Sequence, residues 1–428
     1  MQRMIHTMLL GLALLWSAQA QAVLEVTVTE GVTGAIPVAV APFTWDGDGR
    51  PGEDVDQILA ANLTRSGLFD VERDGLPQAP SGPADFLAQP WAEAGLEYLV
   101  VGSMRPDGDN VMVEFHVFDV LAEERLGGWR IPVPADMLRR GAHRVSDIVY
   151  EQITGDPGAF SARIAFVSVE RRNDSREFRL EVADSDGANP RTLFRSRDPI
   201  MSPDWSPDGR ELVYVSFENR RSEVFRQNVE TGERNRIASF TGINSAPAWS
   251  PDGRQLALSL SRDGSPNIYV MDLASGDLRQ LTRSSAIETE PVWSPDGDTI
   301  YFTSDRAGAP QIYAQPASGG NARRLTFESG YAAAATISPD GRSLVYVHGG
   351  DGGFQLARLD LDDRRVTRLT DGRDAESPSF APNGSMILYA MTDGGRGVLG
   401  SVSRDGQVHQ RLAAREGEVR EPAWSPLN

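Results

Sequence analysis

The chain contains no cysteine and no lysine in its 428 residues. Without thiols it has no disulfides, no thiolate metal ligands and no cysteine nucleophile, so the fold must be held together by burial, which this length permits. All 42 basic side chains are arginines, and they stand against 60 acidic ones, which gives a net charge of −18. A chain with this charge repels nucleic acid and anionic membrane surfaces, so we expect neither as a partner.

Motifs of catalysis and cofactor binding are also missing. The sequence has no G-x-S-x-G, no P-loop and no dinucleotide-binding fingerprint. Four histidines follow residue 22, and no two of them have metal-ligand spacing: His116, His143, His348 and His409. The acidic stretches 46–49 and 360–363 lack the spacing and the closing glutamate of a calcium loop. We predict no enzyme, no catalytic residue, no cofactor and no metal site.

A long apolar run occurs only at the N-terminus. Arg3 precedes the apolar stretch Met8–Trp16, and the small residues of "SAQAQA" follow it. This order is typical of a secretory signal peptide over residues 1–22, and the stretch is too short for a comfortable membrane span. Cleavage after Ala20 or Ala22 fits the pattern, and we favour Ala22; a retained signal anchor is the alternative. We therefore expect a soluble protein outside the cytoplasm, with no direct membrane insertion.

What the sequence has in abundance is repetition from about residue 160 onward. Turn phrases of the type "WSPDG" place prolines at intervals of 44, 44, 44, 43 and 44 residues: Pro207, Pro251, Pro295, Pro339, Pro382 and Pro426. A second series of strand–turn–strand segments runs in phase and ends in Leu193, Ile237, Leu281, Leu325, Leu369 and Leu412. Four short strands in about 44 residues are typical of a β-propeller blade, and six copies predict six blades.

The ends of the periodic region predict how the ring closes. It opens with "RIAFVS" (163–168), which matches the second strand of a blade, and it ends with "EPAWSP" (421–426), which matches a first strand. We expect these two segments to share one blade, which removes free sheet edges.

The repeated phrase is interpreted as architecture. Proline and glycine suit the turn, and the preceding tryptophan is expected to pack between adjacent blades: Trp205, Trp249, Trp293 and Trp424. Asn383 and Leu427 replace the turn aspartate in two copies, which argues against a repeated chemical site. A calcium ion in the acidic centre of the ring stays open.

Residues 23–158 have no repeat and hold 23 acidic and 9 basic side chains, a net charge of −14. A buried strand at Ile36–Phe43, an amphipathic helix at Asp54–Gly67, three further strands and a helix ended by Gly155 predict a small α/β domain. A linker, Thr154–Phe160, leads to the propeller at 159–428. The leading segment Val23–Gly31 alternates apolar and polar residues, which suits a strand added to a sheet edge, its own or a partner's. A plain first strand of the α/β domain is the alternative.

The loops opposite the turn phrases differ from copy to copy, and varied loops on a rigid ring are where recognition is usually carried. We predict a partner surface there, with ordinary solvated loops as the alternative. Its residues are Ile243, Asn244, Ala246, Glu288, Thr289, Glu290 and Tyr331.

Taken together, the sequence after the signal peptide resembles the TolB family, the periplasmic component of the Tol–Pal cell-envelope system of Gram-negative bacteria. The resemblance rests on the leader, the α/β domain that begins near "IPVAVAPFTWDG", the segment "NIYVMDLASGDLRQLT" (267–282), and six WSPDG-type blades in this order. It implies a non-enzymatic adaptor in the periplasm that supports outer-membrane invagination during cell division and outer-membrane integrity.

The resemblance also implies two partners. The loop face would bind the peptidoglycan-associated lipoprotein Pal, with Ile243, Asn244 and Ala246 in one matching loop and Thr289 and Glu290 in the next. Ile243 departs from the family, in which a polar residue or histidine is commoner. The N-terminal segment would bind TolA through Glu25, Val26, Thr27, Val28 and Thr29.

In the family, Pal occupancy is thought to change how far the N-terminal segment is ordered, which would make the protein a two-site switch. Colicins and other envelope proteins are further partners that the resemblance suggests. A secreted propeller enzyme or a glycan-binding lectin is the alternative function.

Overall fold

The computed structural model describes residues 24–30, 34–49, 51–80, 82–172, 175–350, 352–372, 374–414 and 417–427. The predicted signal peptide, residues 1–22, lies outside them. Within these ranges, no helix combines the length and the apolar character that a membrane span requires.

Within the described residues, the N-terminal part contains seven strands and three α-helices. The strands are β1 (Leu24–Glu30), β2 (Ile36–Val40), β3 (Thr44–Trp45), β4 (Phe69–Glu72), β5 (Tyr98–Asp107), β6 (Asn110–Asp119) and β7 (Glu124–Pro134). The helices are α1 (Val55–Ser66), α2 (Gln89–Glu93) and α3 (Leu138–Thr154), with short 3-10 turns at Pro83–Asp85 and Ala135–Met137. Strands β2 to β7 form one mixed sheet in the order β4-β2-β5-β6-β7, with β3 beside β5.

Helices α1 and α3 pack on one face of this sheet because each presents an apolar stripe. Val55, Leu59 and Leu63 of α1 are fully buried, and they share a core with the inward-facing residues of β5 and β6. Gly67 ends α1 in the left-handed conformation, with φ at 73°. The prediction of a small α/β domain is confirmed.

In the part of the propeller that the structure describes, the remaining strands form six antiparallel blades of four strands each. They are β8 (Arg163–Arg172), β9 (Ser175–Asp184), β10 (Arg191–Ser196), β11 (Ile200–Trp205), β12 (Glu211–Ser216), β13 (Glu223–Asn228), β14 (Arg234–Ala238), β15 (Asn244–Trp249), β16 (Gln255–Leu260), β17 (Asn267–Asp272), β18 (Leu278–Gln280), β19 (Glu288–Trp293), β20 (Thr299–Ser304), β21 (Gln311–Pro316), β22 (Arg323–Arg324), β23 (Tyr331–Ile337), β24 (Ser343–Gly350), β25 (Gly353–Asp360), β26 (Val366–Arg368), β27 (Glu376–Phe380), β28 (Met386–Asp393), β29 (Arg396–Ser403), β30 (His409–Ala414) and β31 (Glu418–Trp424).

Blades 2 to 6 take consecutive groups of four strands, from β11–β14 to β27–β30, whereas blade 1 combines β31 with β8, β9 and β10. The C-terminal strand β31 pairs antiparallel with β8, so that Trp424 lies opposite Ile164 and Glu418 opposite Val169. The predicted closure of the ring by the C-terminal strand is confirmed. The first strand of each blade contacts the first strands of its neighbours around the axis, including β11 with β31.

The tryptophans before the turns lie between neighbouring blades. Trp205 packs in one cluster with residues of blades 1 and 2, and its indole Nε1–H donates to the Ala423 carbonyl oxygen at 3.1 Å. Trp293 repeats this two blades further on, between blades 3 and 4, and donates to the Ala248 carbonyl oxygen at 3.2 Å. The prediction that the tryptophans pack between blades is confirmed for these positions.

Strand β1 does not join the α/β sheet. It pairs antiparallel with β30, from Leu24 opposite Ala414 to Glu30 opposite His409, and becomes a fifth strand at the outer edge of blade 6. The alternative that this segment is the first strand of the α/β domain is therefore wrong, and a sheet edge elsewhere in the same chain receives it.

Candidate functional site

Each innermost strand of the propeller carries a bulge at the same height. One non-glycine residue in each strand takes a left-handed conformation, with φ between 47° and 54°: Ser202, Ala246, Glu290, Ala334, Ser377 and Glu421. The strand register shifts at these positions in all six blades. A left-handed non-glycine residue costs about 1–2 kcal/mol, and all six line the central cavity of the ring. The strain is therefore repeated around one opening.

This central cavity has a volume of about 550 Å³ and is acidic. Its lining includes Asp204, Glu290, Glu376 and Glu421, and no basic side chain among the described residues. Three of these carboxylates also join neighbouring blades: Glu290, Glu421 and Asp204, whose carboxylate in blade 2 accepts from the Trp249 main-chain N–H of blade 3 at 2.8 Å. Glu290 accepts hydrogen bonds from the Ala334 main-chain N–H and the Thr303 hydroxyl, both at 2.8 Å.

The Glu421 carboxylate accepts from the Ser202 main-chain N–H at 3.2 Å. It links blades 1 and 2 in the same way as Glu290 links blades 4 and 5. Burial raises the pKa of Glu421, and the nearby carboxylates of Glu376 and Glu290 raise it further. Burial also raises the pKa of Asp204 to about 7, although the main-chain N–H groups of Trp249 and Trp205 favour its charged form. The cavity therefore loses part of its negative charge in mildly acidic solution.

Two isoleucines, Ile243 and Ile287, stand exposed in the loops that precede the first strands of blades 3 and 4. Their exposed fractions are 48% and 52%, and they lie 44 residues apart, at equivalent positions of the repeat. We call these two exposed apolar side chains, at corresponding points of adjacent blades, the apolar ridge; exposed apolar groups on one face are the kind of feature that marks a protein contact.

The same contact fixes the loop at each isoleucine. The Ile243 N–H donates to the Ser261 hydroxyl at 2.7 Å, and the Ser261 N–H donates back to the Ile243 carbonyl at 3.1 Å. The Ile287 N–H donates to the Asp305 carboxylate at 2.8 Å, and the Asp305 N–H returns to the Ile287 carbonyl at 3.3 Å. The backbone at both isoleucines is thus already ordered, so a partner that binds these side chains would not have to order it.

Two residues of the predicted surface, Asn244 and Glu288, are fully buried. The Asn244 side chain donates to the carbonyls of Phe240 and Gly242 and accepts from the Phe240 N–H. Glu288 pairs with Arg306 and accepts from the Ser304 hydroxyl. These two side chains shape the loops that carry the isoleucines and offer no surface of their own.

The other predicted residues lie around the mouth and wall of the cavity. Ala246 and Glu290 occupy the left-handed bulge positions, and Thr289 directly precedes Glu290. Tyr331 lines the cavity, with its ring centre 5.0 Å from that of Phe354, and burial raises its pKa. The structure thus brings Ala246, Glu290 and Tyr331 together around one opening.

Sequence reasoning missed several members of this site: Ile287, Glu376, Glu421 and Asp204. Ile287 was within reach, because it repeats the position of Ile243 at the 44-residue step. The acidic residues were not, because residues from opposite ends of the propeller sequence meet at the cavity only after the ring has closed.

The predicted TolA-binding residues, Glu25 to Thr29, all lie in β1. Their pairing with β30 places Val26 opposite Leu412 and Val28 opposite Gln410. In the described part of the chain β1 pairs on one side only, because it is the last strand of its sheet. The segment is thus an edge strand, located away from the apolar ridge on the loops of blades 3 and 4.

A second group of titratable residues lies where the α/β domain meets blade 1. Ligand atoms of His143, Asp184 and Asp186 lie within 4.8 Å of one another, which is metal-ligand proximity. The geometry argues against a metal, however. Asn62 accepts from Arg65 through its Oδ1 and donates through its Nδ2 to the His143 Nδ1 at 2.9 Å, so the proton of neutral His143 sits on Nε2.

That Nε2–H faces the Asp186 carboxylate at 3.7 Å, and Arg65 and Arg139 both pair with the same carboxylate. Burial lowers the pKa of His143 to about 4. The Asp186 carboxylate acts to raise this pKa, and the two arginines act to lower it. A protonated Nε2 and two guanidinium groups leave no donor set for a cation here. The cluster holds the two domains together through buried charges.

The described residues form a closed ring of six blades around an acidic cavity, with rigid variable loops at one end and an α/β domain at the other. This arrangement defines a propeller-based binding protein. Two family models cover nearly the whole chain: the TolB amino-terminal domain matches residues 24–126, and the TolB beta propeller domain matches residues 150–428. The chain belongs to the TolB family of the Tol–Pal system.

Individual relatives agree with this assignment. The chain is 63% identical over 431 residues to the Tol-Pal system protein TolB of Thioalkalivibrio sulfidiphilus, with 100% of this chain and 99% of that protein covered. The corresponding protein of Nitrosococcus oceani is 60% identical over 408 residues, at 95% and 94% coverage. The crystal structure of TolB from Acinetobacter baumannii matches with a TM-score of 0.89 and 38% identity, over 94% of this chain and 100% of that one. Membership in this family supports the prediction that the chain is not an enzyme.

Proposed function

We propose that this chain is the periplasmic adaptor of the Tol–Pal system, binding Pal through the loop end of the propeller and TolA through the segment Glu25–Thr29. In this role it supports outer-membrane invagination during cell division and the integrity of the outer membrane. Membership in the TolB family supports an envelope role, and the first 22 residues have the pattern of an export signal.

The observation that carries the Pal proposal is the pair of exposed isoleucines on rigid loops beside the acidic cavity. Apolar side chains on a pre-ordered backbone lose little conformational entropy on binding, which favours a stable protein–protein contact. Colicins, in hosts where they use this protein, would compete for the same surface.

The TolA proposal rests on the position of β1. An edge strand offers main-chain donors and acceptors along its free side, and a partner segment can extend the sheet there. Strand β30 is the strand that pairs with β1. A partner that binds at the edge of blade 6 therefore changes how far the segment Glu25–Thr29 is ordered.

The experiment is a pair of reciprocal variants of the exported protein, measured against its own Pal and TolA by calorimetry or pull-down. Deletion of residues 23–29 is expected to abolish TolA binding and to leave Pal affinity within about twofold. The double substitution Ile243→Ala and Ile287→Ala is expected to do the reverse. Equal loss of both partners in either variant would refute separate sites, and hydrolysis of peptides or glycans without retention of Pal would favour an enzyme or lectin.

A further inference from the structure

The turn phrase works in the same way in four of its copies. In blades 2 to 5 the turn aspartate accepts the hydroxyl of the serine two residues before it, at 2.5 to 2.6 Å, and the main-chain N–H two residues after it, at 3.0 to 3.1 Å. These aspartates are Asp208, Asp252, Asp296 and Asp340, and all four are exposed. The phrase needs only an acceptor at this position.

Blade 6 has Asn383 at the equivalent place. Its Oδ1 accepts from the Ser385 main-chain N–H at 3.1 Å, as the turn aspartates do two residues on, and from the Ser385 hydroxyl at 2.8 Å, because Ala381 replaces the serine before the turn. Its Nδ2 has an additional partner, the carbonyl oxygen of Pro157, at 2.7 Å. An aspartate cannot make this second contact, because a carboxylate has no proton to donate. The departure from the repeat therefore coincides with a contact that reaches outside the propeller.

Pro157 belongs to the linker between the two domains, and the linker is bound from the α/β side as well. The Asp147 carboxylate of α3 accepts the main-chain N–H groups of Phe160 at 2.6 Å and Ser161 at 3.1 Å. Gly158 lies so close to α3 that a Cβ there would sit 2.3 Å from the Asp147 Cα. The linker thus packs directly against α3, because Gly158 has no side chain to keep the two apart.

On the propeller side, the Ser185 hydroxyl of blade 1 donates to the Phe160 carbonyl at 2.7 Å, while Asn383 of blade 6 holds Pro157. Between them the linker forms one wall of a cavity of about 260 Å³ at the domain junction, which is also lined by Tyr150 of α3 and Met386 of blade 6. Contacts from two blades and one helix leave this connection little freedom as a hinge.

We propose that Asn383 is a positioning residue that clamps the interdomain linker to blade 6 and thereby fixes the orientation of the α/β domain on the propeller. The blade-6 turn keeps its fold with the Oδ1 atom and uses the Nδ2 atom for the clamp. This assignment is independent of which partners the protein binds.

The test compares Asn383→Asp with the reverse substitution Asp252→Asn in the exported full-length protein. Asn383→Asp keeps the acceptor of the turn, removes the donor and places a carboxylate against a carbonyl. Asp252→Asn makes the opposite chemical change at the same position of an exposed turn in blade 3. Hydrogen exchange is followed by mass spectrometry in the peptide that contains Phe160 and Ser161, with blade peptides as reference.

We expect exchange in the linker peptide to become about fivefold to tenfold faster in Asn383→Asp, which corresponds to the loss of one hydrogen bond worth about 1 kcal/mol, and to stay within about twofold in Asp252→Asn. The blade peptides should not change in either variant. Asn383→Ala, which removes the donor without adding charge, provides the same reading if the aspartate variant does not fold. Unchanged linker exchange in the Asn383 variants would overturn the proposal, and so would acceleration spread equally over the blades or reproduced by Asp252→Asn.

Discussion

Replacement of single inter-blade tryptophans by phenylalanine should reveal how much the indole N–H contributes to the ring. Trp205, Trp249 and Trp293 occupy equivalent positions and are 5%, 8% and 6% exposed. Trp205 and Trp293 donate to a carbonyl of the preceding blade, whereas the buried Nε1 of Trp249 has no hydrogen-bond partner among the described residues. The three substitutions remove the same atoms, and Trp249→Phe and Trp293→Phe differ in whether the N–H had a hydrogen-bond partner.

The magnitudes follow from this difference. A buried hydrogen bond contributes about 1 kcal/mol, and a buried donor without a partner costs about 1–3 kcal/mol. Trp293→Phe should therefore destabilise the protein by about 2 kcal/mol more than Trp249→Phe, which removes an unsatisfied donor. Trp205→Phe should cost about 0.5–1 kcal/mol beyond that, because the Arg163 guanidinium lies 5.0 Å from the Trp205 ring centre.

Urea unfolding followed by far-UV circular dichroism measures the three variants without depending on tryptophan fluorescence. The expected order of destabilisation is Trp205→Phe, then Trp293→Phe, then Trp249→Phe, with m-values unchanged. A Trp249→Phe variant as unstable as Trp205→Phe would show that ring packing alone sets the cost and that the N–H contacts contribute nothing.

Three further outcomes follow from the structure. Ile287→Ala should weaken Pal binding about tenfold, while Leu87→Ala, a change at a still more exposed apolar side chain in the α/β domain, should not; similar affinities for both variants would contradict the ridge. The folded-state pKa of His143 is about 4, so unfolded chains bind the extra proton and stability should fall by about 3 kcal/mol from pH 6.5 to pH 4; a His143→Gln variant with an unchanged pH profile would contradict this. A chain that ends at Gly417 should lose cooperative melting and aggregate, because the edge of β8 is then open; a monomer with normal melting would disprove closure by β31.

The blades were predictable because their information is local and repeated. Strand, turn and strand follow within about 44 residues, and the orphan segments 163–168 and 421–426 had one arrangement that left no open edge. The pairing of β31 with β8 and the position of Trp205 between two blades therefore match the sequence-based expectation.

The acidic cavity and the partner of β1 were not predictable in the same way. Glu290, Glu376 and Glu421 are distant in sequence, and only the closed ring makes them neighbours. Strand β1 has the alternating pattern of any half-buried strand. This pattern predicts that β1 pairs with another strand but does not identify the sheet edge with which it pairs. The structure places the start of β30 beside the end of α1, where a Cβ on Gly67 would meet the Val408 side chain at 2.4 Å, and the sequence pattern does not show this tertiary contact.

At the predicted partner loops, the sequence identified the region but not the role of each residue. Asn244 and Glu288 looked like polar contact residues, and both turn inward to bond their own loops. A polar residue in a variable loop gives no sign of its direction, because both outcomes satisfy its hydrogen bonds. Ile243 and Ile287 differ, since an apolar side chain that remains exposed on a fixed loop has few other roles.

The composite first blade also determines when this protein can finish folding. Strand β8 is made near the start of the propeller, and its inner neighbour β31 lies some 250 residues later in the chain. During synthesis, blades 2 to 6 can form before the ring closes, and the partly made chain exposes the unpaired inner edge of β8 until β31 is made. Strand β31 thus completes both the first blade and the ring, and a chain interrupted before Glu418 carries a folded but open, self-associating propeller.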